Sequence, residues 1–252
     1  MFRYLLDLKE PGTAATALGR AFHETIAHNF RQKAETAHDL PVAECLDCFR
    51  KALGPQLEEA KLQKGEHPME LLELGETMVT KYIEDAAPLI RPAAVESRVS
   101  GVIGGVKVSG YVDLLDIEGR IIDAKSALKP LKGIAHDHHL QLTSYVMITP
   151  AASGACRLDT VTKGKMVSLI QKSFLINEKD RHYAETIYPM VQDSIREGSS
   201  CLGAEVNCVQ DDSADSGMCV RRSTAAQCAA TKATTKVTAE YPIQRFPRLL
   251  GF

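Results

Sequence analysis

The chain has 252 residues and a formal net charge of −2, with 44% hydrophobic and 25% charged residues. That length allows one large domain or two small ones around a sizeable core, and the composition is that of an ordinary soluble globular protein. No run approaches the ~20 apolar residues that span a bilayer, and the near-neutral charge excludes a protein that coats nucleic acid through bulk positive charge, leaving room for a focused contact.

The opening MFRYLLDLKEPG is too short and too charged for a secretory signal, so a cytoplasmic protein without membrane contact is expected. Leu18, Phe22, Ile26 and Phe30 recur at four-residue steps and predict one long helix from about Ala14 to His38, with His23 beside its apolar stripe. Further helical patterns cover roughly Val42 to Leu53, Gln56 to Lys64 and Pro68 to Ala87, and Pro88 and Pro92 end the run. Cys45 and Cys48 form a C-x-x-C within one of these helices. Without an export signal, reduced and idle thiols are the commoner outcome there than a zinc site.

From Ala93 the period changes to two. The strands AVESRVS, GVKVSGYVDLLDI and RIIDAKS are separated by the turn clusters GVIGG and IEGR, and such short connections predict an antiparallel meander. After a loop containing Pro130 and Gly133, HDHHLQLTSYVMI reads as a helix with Asp137 as its cap. A fourth strand, MVSLIQKSFLI, precedes a last helix from about Glu178 to Glu197, capped by Asn177 and ended by Gly198. Residues 199–252 turn to Ser, Ala, Thr and Cys and predict a loosely ordered tail, whose Cys201, Cys208, Cys219 and Cys228 match no zinc-ribbon spacing. The chain has no visible internal repeat.

Three ionisable residues stand in the stretch GYVDLLDIEGRIIDAKSALK, where buried strand is otherwise expected. Alternation puts Val106, Val108, Val112 and Leu114 on one face of the second strand and Lys107, Ser109, Tyr111 and Asp113 on the other; in the third strand Asp123 and Lys125 share a face. Pairing through the turn at Glu118 and Gly119 lets Asp113 and Asp123 converge at one edge. Two such carboxylates repel unless a cation lies between them, and oxygen ligands select a hard ion such as Mg²⁺ or Mn²⁺. Lys125 beside the ion could hold an attacking water or neutralise charge on a phosphate oxygen, a combination suited to phosphodiester hydrolysis. Spacing alone leaves open a plainer reading, in which the aspartates end strands and Lys125 makes a weak surface ion pair. Other local matches carry less. SALK at Ser126 to Lys129 follows a strand and has no second motif to support it, GVIGG leads into a strand where a phosphate loop needs a helix, and HDHH reads as a polar loop over the site's edge.

The ordered set GRAFH (Gly19 to His23), GYVD (Gly110 to Asp113), IIDAK and QLTSY (Gln141 to Tyr145) resembles the RecB-like branch of the PD-(D/E)xK nuclease superfamily, over roughly Gly12 to Arg196. The resemblance implies an α/β fold, a mixed β-sheet flanked by helices with a helical N-terminal region. The nuclease domain is expected at 1–198, its helical part at 12–90 and its catalytic sheet and helices at 93–198. The resemblance further implies that Asp113, Asp123 and the main-chain carbonyl of Ala124 bind Mg²⁺ or Mn²⁺, with His23 as a nitrogen ligand or orienting a metal-bound water. Lys125 would activate the water, and Gln141 and Tyr145 would contact the DNA backbone or steady the lysine. Glu96 is a candidate acid just beyond the direct ligands. His23 as a satisfied helix histidine and Tyr145 as a core aromatic remain open.

Val112 stands where the superfamily's eponymous proline would be, as is common in this branch. Many relatives hold an iron–sulfur cluster with one cysteine before the first helix and three close together near the C-terminus. This chain begins too late for the first and spaces the others too widely, so no cluster is expected, and a truncated start and an atypical tail are. The expected activity is metal-dependent DNA hydrolysis on single- or double-stranded DNA, leaving 5′-phosphate. An exonuclease of repair, recombination or phage DNA processing is the expected setting, with a helicase or recombination protein as a candidate partner. The alternatives are a non-catalytic DNA-binding or assembly module of a helicase–nuclease complex, and a phosphohydrolase of RNA or small molecules.

Overall fold

Thr13 starts helix α1 (Ala14–Thr36): its Oγ1 accepts a hydrogen bond from the Thr16 amide at 3.2 Å, satisfying one of the donors that a helix start leaves without a partner. The computed structural model describes residues 11–127, 134–162 and 166–207. Leu18, Phe22, Ile26 and Phe30 are all buried, as their spacing predicts. Helix α2 (Val42–Glu58) runs on through Pro55, where the sequence suggested two separate helices. The proline lies in the last turns, and Gly54 before it has no Cβ to meet the ring, which removes one of the clashes that a proline brings to a helix. Helix α3 (Pro68–Asp85) begins on a proline at its first position, where the missing N–H costs nothing.

A five-stranded sheet follows in the order β1 (Pro92–Ile103), β2 (Val106–Asp116), β3 (Ile121–Ala127), β4 (Ala155–Thr162) and β5 (Ser168–Leu175). Neighbours are antiparallel except β3 and β4, which are parallel and joined by helix α4 (His136–Ile148). The first three strands form the expected meander, with Gly104 and Gly105 at φ 55° and 80° making the tight turn between β1 and β2. Helices α1 to α3 cover one face through a core that includes Phe22, Phe49 and Tyr82 together with Leu114 and Ile122 of the sheet. Helix α4 and helix α5 (Glu178–Asn207) cover the other through Val108, Val112, Tyr145 and Tyr188. Asn177 caps α5 as expected, its Oδ1 accepting from the Lys179 and Asp180 amides. Gly198 does not end the helix, which continues to Asn207: glycine lowers helix stability without blocking it. The rest of the tail, with Cys208, Cys219 and Cys228, lies outside the described residues.

Strand β4 is absent from the sequence reading, which allowed a single strand after α4. Its residues are almost all buried, yet ACRLDTVT carries an arginine and an aspartate and shows no apolar alternation. The two charges pair internally. Arg157 Nη2 donates to Asp159 Oδ2 at 2.7 Å, Gln171 Nε2 donates to Oδ1 at 3.2 Å, and the Tyr82 hydroxyl of α3 donates to Oδ2 at 3.3 Å. A buried charge held by three donors is tolerated in a core, whereas removing one partner strands the other. Asp159→Ala is therefore expected to destabilise the fold by about 3–5 kcal/mol, read as a lower denaturant midpoint with unchanged slope.

Candidate active site

Strands β2 and β3 pair at two rungs, Leu114 with Ile122 and Leu115 with Ile121. The turn that joins them is held tightly: Asp116 Oδ1 accepts from the Glu118 and Arg120 amides at 2.9 and 2.8 Å, and Gly119 takes φ 74°. Beyond these rungs the strands part, β2 continuing as a long ribbon with β1 and β3 continuing beside β4. Asp113 and Asp123 are the first residues past the last shared rung, so both acids stand at the mouth of the fork.

A second irregularity meets the first there. In β2, Val108, Val112 and Leu115 join the core under α4 and α5, whereas Leu114 joins the core under α1. Strict alternation would put Val112 and Leu114 on one face, as the sequence reading assumed, so the alternation slips by one at Asp113. Strand β1 slips at the matching place: Val95 packs under α1, Ala94 and Val99 under α4 and α5, and Glu96 between them has φ 48°. The rungs on either side, Val95 with Leu114 and Ser97 with Val112, keep register. Both strands are thus distorted at one level, where Glu96 and Asp113 face the α1 side.

Helix α1 brings His23 to this point. Its Nδ1 lies 3.3 Å from Asp113 Oδ2, with both side chains more than nine-tenths buried. Ligand atoms of His23, Glu96 and Asp113 all lie within 4.8 Å of one another. They line a cavity of about 10 Å³, walled also by Phe30, Tyr82 and Ala124, which is room for about one water-sized species. An imidazole nitrogen with two carboxylates is a donor set that suits Mg²⁺ or Mn²⁺, and the residues present fit such an ion.

Asp123 stands outside that trio. By alternation from Ile121, Asp123 and Lys125 face α4, and Lys125 Nζ lies 3.1 Å from Asp123 Oδ1 and 3.0 Å from Oδ2. Burial pushes the Asp123 carboxyl above the usual carboxylate range, with Lys125 opposing and Asp113 adding to the rise. The two acids therefore feel each other across the fork. His138 of α4 faces the same lysine, and burial together with Lys125 pushes its imidazole below the usual range, toward the neutral form.

Gln141 and Tyr145, one turn apart on α4, meet through a 3.1 Å bond from Gln141 Nε2 to the Tyr145 hydroxyl, and both are buried. Of the two motif glycines, Gly110 is a tight packing position and Gly19 is not. A Cβ on Gly110 would lie 2.5 Å from Tyr145 Cε1, so the strand carries glycine where the tyrosine ring crosses it. A Cβ on Gly19 would meet Ser126 Oγ of β3 at 3.6 Å, and His23 lies one helical turn further along α1.

Several expectations change. Asp137 does not cap α4; Ala135 precedes the helix, and Asp137 accepts from the neighbouring His138 amide inside the first turn. HDHH is that first turn and not a loop, with His136 2.9 Å from the Tyr183 hydroxyl and His139 stacked on Phe174. Of the SALK match, Ser126 and Ala127 are the last residues of strand β3, and Leu128 and Lys129 lie outside the described residues. Cys45 is buried in α2, where burial pushes its thiol up to about 11 and so toward inertness. Sequence reasoning missed Tyr82, which lines the cavity, and the Arg157 and Asp159 pair to which it is hydrogen-bonded. Their one available signal was a charged pair two residues apart, the same spacing as Asp123 and Lys125.

The profile of the PD-(D/E)XK nuclease superfamily matches residues 1–215. No curated protein is significantly similar to the chain. Among solved structures, the chain is similar to a protein from Eubacterium rectale that carries a provisional exonuclease name, at 13% identity and a TM-score of 0.42, over 84% of this chain and 80% of that one. It is also similar to the protein SSO0001, at 16% identity and a TM-score of 0.33, over 74% and 79% of the two chains.

The contact between Gly110 and Tyr145 can be checked directly. Gly110→Ala is expected to cost about 1–3 kcal/mol through overpacking. The same substitution in a Tyr145→Leu background should cost measurably less, and thermal melts of the two single variants and the double variant read the coupling.

Proposed function

The chain belongs to the PD-(D/E)XK nuclease superfamily, and from that premise we propose that it is a metal-dependent deoxyribonuclease of the RecB-like branch. The observation that carries the reading is the fork: His23 and Asp113 on one side, Asp123 held by Lys125 on the other, with both acids at the point where β2 leaves β3. A binding module has no need of two acids with largely buried side chains and a part-buried lysine at one strand junction, since such groups cost free energy to bury.

In the proposed site, Asp113, Asp123 and the Ala124 carbonyl hold Mg²⁺ or Mn²⁺, with His23 as a further ligand. Such an ion supplies Lewis-acid stabilisation of charge on the phosphate oxygens and of the departing oxygen. The chain's own residues do the rest. Lys125, fixed by both oxygens of Asp123, orients the attacking water and lends positive charge to the phosphoryl group as the water approaches in line. The bond from phosphorus to the 3′-oxygen breaks, leaving a 5′-phosphate on one product and a 3′-hydroxyl on the other. Gln141 and Tyr145, tied to each other on α4, steady the lysine's surroundings or meet the DNA backbone. The strand phosphates enter at the fork, so contact with DNA is local, in keeping with a net charge of −2.

The proposed nuclease unit occupies residues 1–198. It acts as an exonuclease on single- or double-stranded DNA in repair, recombination or phage DNA processing, in the cytoplasm and beside a helicase or recombination protein. Among the described residues no helix is long and apolar enough to cross a membrane.

Incubation with labelled single- and double-stranded DNA tests the reading. Cleavage should require Mg²⁺ or Mn²⁺, stop with EDTA and return when the ion is restored in excess. Lys125→Ala is expected to lower kcat by about 10²–10³-fold, the usual loss when one fixed charge donor leaves a reacting centre. Wild-type rates in that variant, with its fold verified by circular dichroism, would rule out the mechanism.

A further inference from the structure

We infer that the outer face of the β1–β2 ribbon is the track along which an unpaired DNA strand reaches the fork, with Tyr111 stacking on a base and Arg98 and Lys107 holding phosphates. The inference rests on the nuclease reading and deepens it: that reading supplies the substrate, and the ribbon supplies its path.

One face of the ribbon is committed to the core. Val99, Val108 and Val112 pack under α4 and α5. Glycines on that face let the helices down onto the backbone. A Cβ on Gly110 would lie 2.5 Å from Tyr145, one on Gly101 would lie 2.8 Å from Ile148, and one on Gly104 would run into the Glu185 carbonyl of α5. The ribbon is thus held from behind at its root, its middle and its tip. By alternation the side chains between these positions point the other way. They are Arg98, Ser100 and Val102 on β1 with Lys107 and Tyr111 on β2, and all five are exposed. Asp113 follows Tyr111 by two residues on this same face, where it meets His23, so the strip leads directly into the proposed site.

Arg98 is the cross-strand partner of Tyr111, and Val102 is that of Lys107. Residues directly opposed in an antiparallel pair are side-chain neighbours, so a guanidinium group and a ring that is 38% exposed stand side by side. Aromatic rings for bases with cations beside them for phosphates are what proteins use to hold single strands without reading their sequence. The positive charge is placed rather than general: the whole chain carries −2, yet the five exposed positions hold two cations and no carboxylate. Along the strand Tyr111 stands about 7 Å from Asp113 and Lys107 about 20 Å, a span that serves the nucleotides next to the cleaved bond. The ring selects an unpaired strand, because within a duplex each base face is already taken by its neighbours. A duplex would engage the cations and leave Tyr111 idle.

Fluorescence anisotropy tests the track on the full chain in EDTA, so that binding is read without cleavage. The probes are a labelled oligothymidylate of about 12 nucleotides and a blunt duplex of equal length. Tyr111→Ala is expected to weaken single-strand binding by at least about five-fold, with Tyr111→Phe retaining it and duplex binding unmoved by either. Arg98→Ala and Lys107→Ala should each lower the slope of log affinity against log salt by about 0.7. Thermal melts check the fold, and Tyr111→Leu, which keeps apolar bulk without a ring, replaces the alanine variant should that one melt early. Wild-type affinity and salt slope in these variants, or a wild-type protein that holds the duplex more tightly than the single strand, overturns the inference. Metal-dependent cleavage alongside either result leaves the nuclease reading standing. A protein that cuts no DNA with Mg²⁺ or Mn²⁺, yet loses single-strand binding with Tyr111 and Arg98, retains the track and refutes the nuclease reading instead.

Discussion

Strands β2 and β3 share two rungs and then separate, because each has a better partner on its other side: β2 the ribbon with β1, β3 the parallel ladder with β4. A sheet that opens in its middle leaves side chains at the opening without a neighbour across the gap, and such positions can hold groups that a continuous ladder would exclude. Asp113 and Asp123 occupy those positions. Everything near them follows from that opening: α1 reaches in with His23 on one face, and α4 lies over Lys125 with His138 on the other. The hairpin turn, fixed by Asp116, sets where the opening begins.

Adjacent central strands carry two charged pairs with identical spacing, and comparing them separates structure from chemistry. Arg157 and Asp159 on β4 face α3, where Tyr82 and Gln171 add donors until the carboxylate accepts from three groups. Asp123 and Lys125 on β3 face the other way, and the register puts Ala124 beside Asp159. Here the carboxylate is engaged by Lys125, and burial, with a second acid nearby, raises its proton affinity. A fully bonded pair stiffens a core; a pair with acids in excess of bases attracts a further cation. The β4 pair thus belongs to the fold, and the β3 pair is the one suited to chemistry.

How much of this could be read in the sequence depends on what carried the signal. The α1 stripe and the β1 to β3 meander were legible because buried apolar positions recurred with a clean period of four or two. Gly19, His23, Gly110, Asp113, Asp123, Lys125, Gln141 and Tyr145 were legible as an ordered set. Strand β4 was not, since its buried positions hold an ion pair that looks like surface until Tyr82 and Gln171 are placed beside it. The place of Glu96 was hidden for another reason. A single residue at φ 48° shifts every later side chain to the opposite face, and nothing in AVESRVS marks the glutamate as the residue that turns. Gly54 before Pro55 similarly made one helix look like two.

The two motif glycines lie where a helix meets the sheet, one on each face. Gly19 sits where α1 comes close to Ser126 of β3, and a helix whose contact is set at one residue has its next turn set as well, because residues four apart share a face. His23 is that next turn, and it arrives at Asp113. Gly110 plays the same part for the opposite face: Tyr145 lies against it, which seats α4 on β2, and Gln141 is held one turn back along the helix by its bond to the tyrosine. Asp113 then follows Gly110 by three residues, just past the slip in alternation. At Gly110 a backbone contact with no room for a Cβ fixes how closely α4 lies on the sheet, whereas at Gly19 a Cβ would reach only ordinary contact with Ser126.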